Sequence, residues 1–175
     1  MSDYYAQAVS RKDLRKLAYI IRKEFGYEDK WYIPVDRLLD QMCDLYDELS
    51  YQVVSDDEWD DPCAHAYTNI SEQTIKIRES IFNNACDGCG RDRMTIAHEI
   101  AHYILICDIG IQLHSCRQIG KLKPYNDPEW QAKCLAGEIM IPYYKIKQSK
   151  QKISAQQIEG LCGVSFDAAN YQLNH

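Results

Sequence analysis

Nowhere in this 175-residue chain does an apolar run approach the roughly 20 residues that a membrane-spanning helix requires. A helical membrane protein is excluded on that ground. Met1 to Ser10 also lacks the charged-then-apolar pattern of a secretory signal, so a cytoplasmic protein is expected. Basic residues are the minority charge: 20 Lys and Arg stand against 26 Asp and Glu, for a formal net charge of -6. A generic binder of nucleic acid or anionic lipid would show the opposite balance, so neither is expected as a partner.

Cysteine, by contrast, is plentiful, with eight in the chain. Disulfides are rare in the cytoplasm, and 175 residues that are 46% hydrophobic can build a core without them. Cys107 and Cys134 fall within helical patterns and read as small buried hydrophobes. Cys86-Asp87-Gly88-Cys89, followed by His114-Ser115-Cys116, offers the donors of a second, structural zinc site, with reduced loop thiols as the alternative.

The most informative residues are His98-Glu99-Ile100-Ala101-His102. On a helix, positions four apart lie one above the other, so both imidazoles can reach one ion from the same face. Glu99 lies about 100° round the helix from His98, beside that ion, where it can take a proton from a water the ion has acidified. This is the HExxH pattern of zinc peptidases. The flanking residues, Met94 to Ala97 and Tyr103 to Cys107, are apolar nearly all round, which predicts a buried helix. Polar side chains inside such a helix need partners, and a Zn²⁺ ion supplies them.

Catalytic zinc takes three protein ligands. Asp108 would suit a compact motif, but the glycine that bends such motifs is replaced by Leu105, and on a continuing helix Asp108 faces away. The alternative is a helix opened by Asp127 as N-cap and Pro128 at its first position, and stopped by Pro142. Glu129 shares a face there with Ala132 and Ala136, whose small side chains permit close approach to the first helix. Glu138 is nine positions on and about 180° round, so the two glutamates cannot serve one ion. Glu129 is the preferred third ligand.

Three segments resemble the ImmA/IrrE family of metallo-endopeptidases: Arg91 to Tyr103, Glu129 to Pro142, and Val164 to Ala169. The resemblance implies zinc held by His98, His102 and Glu129, with Glu99 as base. It also implies a regulatory protease acting on a helix-turn-helix transcriptional repressor of a prophage or mobile element. The chain departs from the family pattern at Lys133, Leu135 and Gly137, where asparagine, phenylalanine and alanine are usual. None of these is a ligand.

Elsewhere, apolar stripes predict helices over Ser10 to Phe25 and Pro34 to Leu45, and Tyr51 to Val54 reads as a strand. Ala64 to Thr68 and Thr74 to Arg78 alternate about a polar turn and predict a hairpin. An exposed edge of that hairpin would hold an extended substrate, and His65 or Tyr67 would be placed to stabilise an oxyanion. Ile158 to Leu173 scans as helix, glycine turn, helix; the second helix carries no Lys or Arg, so it reads as packing or docking rather than DNA recognition.

The expected architecture is a mostly helical α+β single domain over 1–175, with a small antiparallel sheet packed on the HExxH helix. Within it, 1–62 is a helical N-terminal part, 63–142 holds the sheet and zinc-binding helices, and 143–175 is a C-terminal helical part. The expected activity is zinc-dependent peptide hydrolysis. A non-catalytic zinc-containing sensor or repressor-binding module is the alternative.

Overall fold

The computed structural model describes residues 4–115, 123–149 and 152–175. The first strand, β1 (Tyr4–Ala6), leads into α1 (Arg11–Glu24), where Ser10 stands just outside the helix and its side chain caps the Asp13 N–H. α2 (Val35–Leu45) follows and buries Val35, Leu38, Leu39 and Met42. β2 (Ser50–Val54), β3 (Ala66–Asn69) and β4 (Thr74–Arg78) then form one sheet in the order β2-β4-β3.

The β3–β4 hairpin is antiparallel as expected, but β2 joins the far edge of β4 in parallel, so the sheet is mixed. Alternation along a strand fixes which side chains face the core and says nothing about the direction of its neighbour. A separate antiparallel pair joins β1 to β5 (Leu113–Ser115).

α3 (Glu79–Cys86), which has no counterpart among the expected elements, leads to α4 (Gly90–Tyr103), the HExxH helix. Beyond Tyr103 the helix widens for one π turn, Ile104–Asp108, with Ile109 N–H donating to the Ile104 carbonyl at 2.9 Å. α5 (Pro128–Met140) lies between α1 and α4 and is buried nearly all round, from Gln131 to Met140 apart from Lys133. α6 (Tyr143–Gln148), α7 (Ala155–Cys162) and α8 (Phe166–Leu173) complete the α+β domain. Gly163 turns the chain from α7 to α8 at φ +61°, a left-handed cap that favours glycine. Among the described residues no helix is long and apolar enough to cross a membrane.

Candidate metal centre and catalytic site

Two features fix how α4 presents its residues. Its first residue lies against the α7–α8 turn so closely that a Cβ on Gly90 would fall 2.4 Å from the Val164 carbonyl carbon. One turn on, the buried Arg93 guanidinium donates to the carbonyls of Gly163 and Ile33, each at 2.7 Å, and of Cys162 at 3.2 Å, and it also bonds the Tyr32 hydroxyl. A side chain with its donors satisfied by two separate segments, Tyr32–Ile33 and Cys162–Gly163, locks the rotation of the helix.

On the face so presented, His98 and His102 stand edge to face with ring centroids 4.6 Å apart and their Nε2 atoms 3.1 Å apart. From α5, Glu129 reaches across to both. Its Oε2 lies 3.2 Å from His98 Nε2 and its Oε1 3.5 Å from His102 Nε2. Asp127 holds this glutamate in the first turn by accepting the Glu129 N–H at 3.0 Å. The Glu129 side chain is 61% exposed, so the centre is open to solvent on that flank.

Such a cluster fits a metal ion. Zinc bonds of about 2.0–2.1 Å at tetrahedral angles put neighbouring ligand atoms about 3.3 Å apart; the two Nε2 atoms stand 3.1 Å apart, and each faces its own oxygen of the Glu129 carboxylate, at 3.2 and 3.5 Å. Two imidazole nitrogens and a carboxylate are also the donor set that zinc takes in catalytic sites. Among the described residues this is the one grouping of three or more such side chains able to hold an ion.

Hydrogen bonds from His102 and His98 hold the Glu129 carboxyl well below the usual carboxylate range. Burial pushes the His102 imidazole down, but its bond to Glu129 and the charges of Glu99 and Glu129 outweigh that and leave it above its ordinary value. Glu99 is itself buried, and burial raises its carboxyl against the pull of His102 and His98. A carboxyl raised in this way, at a cleft, is suited to exchanging protons.

Thr68 is a neighbour of Glu99 that the sequence pattern alone does not single out. Its Oγ1 lies 2.9 Å from Glu99 Oε2 and 3.0 Å from the Glu99 carbonyl oxygen. The signal for it was present, since Thr68 falls on the same strand face as the buried Ala66.

β3 is also an edge strand, paired only with β4 among the described residues. The Arg78 N–H donates to the His65 carbonyl at 3.2 Å, which marks that pair as hydrogen-bonded. Alternation then turns the main-chain groups of Ala66 and Thr68 away from β4. Ala66, Tyr67 and Thr68 line a cleft together with His98, Glu99, His102 and Glu129.

Of the remaining candidates among the described residues, Tyr67 alone borders the cleft. Asp108 ends the π turn and accepts the Tyr46 hydroxyl at 3.3 Å. Glu138 is buried on the other side of α5, where its Oε1 accepts from Arg11 and Arg15 at 2.9 Å each. The Tyr67 ring packs on Trp59, and His65 is not among the residues lining the cleft. Cys86 and Cys89 are exposed, and His114 stacks on Tyr5 with ring centroids 4.9 Å apart. Cys116 lies outside the described residues.

Comparison with known proteins bears on the same elements. No curated protein matches the chain at a significant level. The sequence profile of a peptidase family described as the IrrE N-terminal-like domain matches residues 58–174. That span takes in β3, β4, α4 and α5, and with them every residue of the cluster and its buried glutamate. The chain therefore belongs to the family of IrrE N-terminal-like peptidase domains.

Proposed function

We propose that this protein is a zinc-dependent endopeptidase that cleaves a regulatory protein, and that the substrate is a helix-turn-helix repressor of a prophage or mobile element. The observation that carries the peptidase reading is the convergence of His98, His102 and Glu129 beside a buried, hydrogen-bonded Glu99. The repressor reading is supported by the family resemblance, and its setting would be the cytoplasm.

A zinc ion held by His98, His102 and Glu129 would supply Lewis acidity and lower the pKa of a bound water to about 7. Around it, each side chain has its own task. The outward main-chain groups of Ala66 and Thr68 hold the substrate backbone extended, as an added strand along β3. Glu99 takes the proton of the attacking water and returns it to the leaving amine, keeping the proton count balanced. Thr68 holds the Glu99 carboxylate in place, so that no rotamer search precedes proton transfer.

The decisive experiment is co-expression with a neighbouring repressor, followed by incubation of the purified proteins. Wild type yields discrete fragments. Glu99→Gln keeps its bound zinc and loses cleavage by about 100-fold or more, the usual weight of a general base. Undiminished cleavage by that variant rejects the assignment, and an intact repressor held in a stable complex would favour the non-catalytic binding module.

A further inference from the structure

Charge in this chain is segregated. Of the 26 Asp and Glu, 15 fall within residues 28–87 beside four Lys and Arg, and that stretch builds α2, the mixed sheet and α3. The rest of the chain carries 16 Lys and Arg against 11 Asp and Glu, an excess that the formal net charge of -6 conceals. Part of that excess gathers on one face. Two hollows open to solvent, of about 570 and 690 Å³, meet at Tyr143, the first between α1 and α6 and the second between α6 and α8. Lys12, Lys16, Lys147 and Lys152 border them and are all exposed. Of these four, only Lys16 has a carboxylate within ion-pair distance among the described residues, that of Asp13 at 3.4 Å. The acidic residue at the floor, Glu138, is already held by Arg11 and Arg15. Between the cations the surface is apolar: Tyr19 and Ile20 of α1 are 43% and 59% exposed, and Phe166 of α8 is 41% exposed. Exposed apolar side chains are ordinary when scattered, whereas a strip of them with a polar rim marks an interaction site.

We propose that this strip is a docking surface for an acidic amphipathic helix of a partner protein, which lays its apolar side chains on Tyr19, Ile20 and Phe166 and sets its carboxylates against the lysines. Lys12, Lys16, Tyr19 and Ile20 fall on one face of α1, at spacings of four, seven and eight, and a groove between helices is a setting in which such a helix binds. The strip shares no lining residue with the cleft of the metal centre. Glu138 at its floor lies about 180° round α5 from Glu129. A partner held there leaves the cleft free, so the proposal goes beyond peptide hydrolysis and stands whether or not the protein cuts what it holds. Two observations select a protein over a nucleic acid. The apolar side chains amid the lysines have no counterpart in a phosphate backbone, which is bound by charge. The acidic stretch 28–87 would also repel a long polyanion, whereas a short acidic helix on the strip feels chiefly the charges within roughly 8 Å, the screening length at physiological salt.

The test reads binding and not catalysis, so a failure of the peptidase reading leaves its outcome unaffected. A random peptide library is selected on zinc-loaded Glu99→Gln protein, which spares the library from cleavage, and counter-selected on the same protein carrying Lys12→Glu and Ile20→Ser. Recovered peptides should hold several Asp or Glu together with apolar residues spaced three and four apart. Their affinity, read by fluorescence anisotropy, should fall by about 10-fold or more on the double substitution and should weaken as salt is raised. Both substituted side chains are exposed, and an unchanged melting curve checks that the fold is intact. An empty selection, recovered peptides without acidic residues, or equal binding to the substituted protein would each overturn the proposal. So would a short DNA duplex that binds more tightly than the peptides and loses as much on substitution, which would make the face a phosphate-binding one. Self-association in sedimentation that the two substitutions abolish would overturn it as well, by making the occupant a second copy of the chain.

Discussion

The Thr68 hydroxyl sits 2.9 Å from Glu99 Oε2 and 3.0 Å from the carbonyl oxygen of the same residue, tying the edge of the sheet to the buried carboxyl of α4. A hydroxyl has one proton to donate, so the two acceptors share it. A hydrogen bond to a charged group contributes about 1.5–3 kcal/mol, and part of that is felt when the carboxylate must hold its place for proton transfer. Thr68→Val, which keeps the shape and removes the donor, should lower kcat about 10-fold with KM little changed. Thr68→Ser should restore most of the loss. Steady-state kinetics with a cleavable peptide checks this, and a Thr68→Val enzyme of normal kcat would reject the positioning role.

The site was legible in the sequence because its key spacings are local. His98 and His102 meet since a helix repeats every 3.6 residues, and Glu129 is placed by the Asp127–Pro128 start of its own helix. What remained hidden depends on distant segments. The parallel pairing of β2 with β4, the β1–β5 pair and the contact of Thr68 with Glu99 each need the assembled fold. Arg22 and Arg93 were hidden for a related reason. Their charge argues for the surface, yet each is fully buried because main-chain carbonyls from two stretches of chain distant in sequence converge on its guanidinium.

Glu138 shows how a wrong ligand can still be indispensable. Its carboxylate is 1% exposed and receives Arg11 and Arg15, joining α1 to α5, while Arg11 also holds Gln172 of α8. Removing one member of a buried pair strands the other charges. Here the arginines are 15% and 23% exposed and can partly re-solvate, so Glu138→Ala should cost about 2–3 kcal/mol, below the range for fully buried pairs. In a chain of this size that lowers Tm by about 5–10 °C. Calorimetry checks the loss, and zinc content measured beside it should be unchanged.

The described cysteines divide by burial. Cys134 and Cys162 are buried, which pushes each thiol up to about 11, whereas Cys63, Cys86 and Cys89 are exposed. Since the thiolate is the reactive form, an alkylating reagent at pH 8 should modify Cys63, Cys86 and Cys89 in the native protein and reach Cys134 and Cys162 only after unfolding. Peptide mass mapping reads each site separately. Protection of Cys86 and Cys89 that disappears with a chelator would instead reveal a metal bound by that pair.

Acidity should act on the zinc-loaded and metal-free proteins in opposite senses. In the metal-free form His102 titrates above its ordinary value, so its contribution to stability is fully present below about 6.5 and is lost as pH rises through the raised value. The depressed Glu129 contributes above the ordinary carboxylate range and loses that only in strong acid, so it stays constant near neutrality. Zinc requires both imidazoles neutral, and protons compete more strongly where a ligand's pKa is raised. The loaded form therefore gains as pH rises over the interval in which the metal-free form loses. Melting curves with zinc and with chelator at pH 6, 7 and 8 should show a gap in Tm that widens with pH. A gap that is constant, or that narrows toward pH 8, would mean that His102 is not among the groups binding the ion.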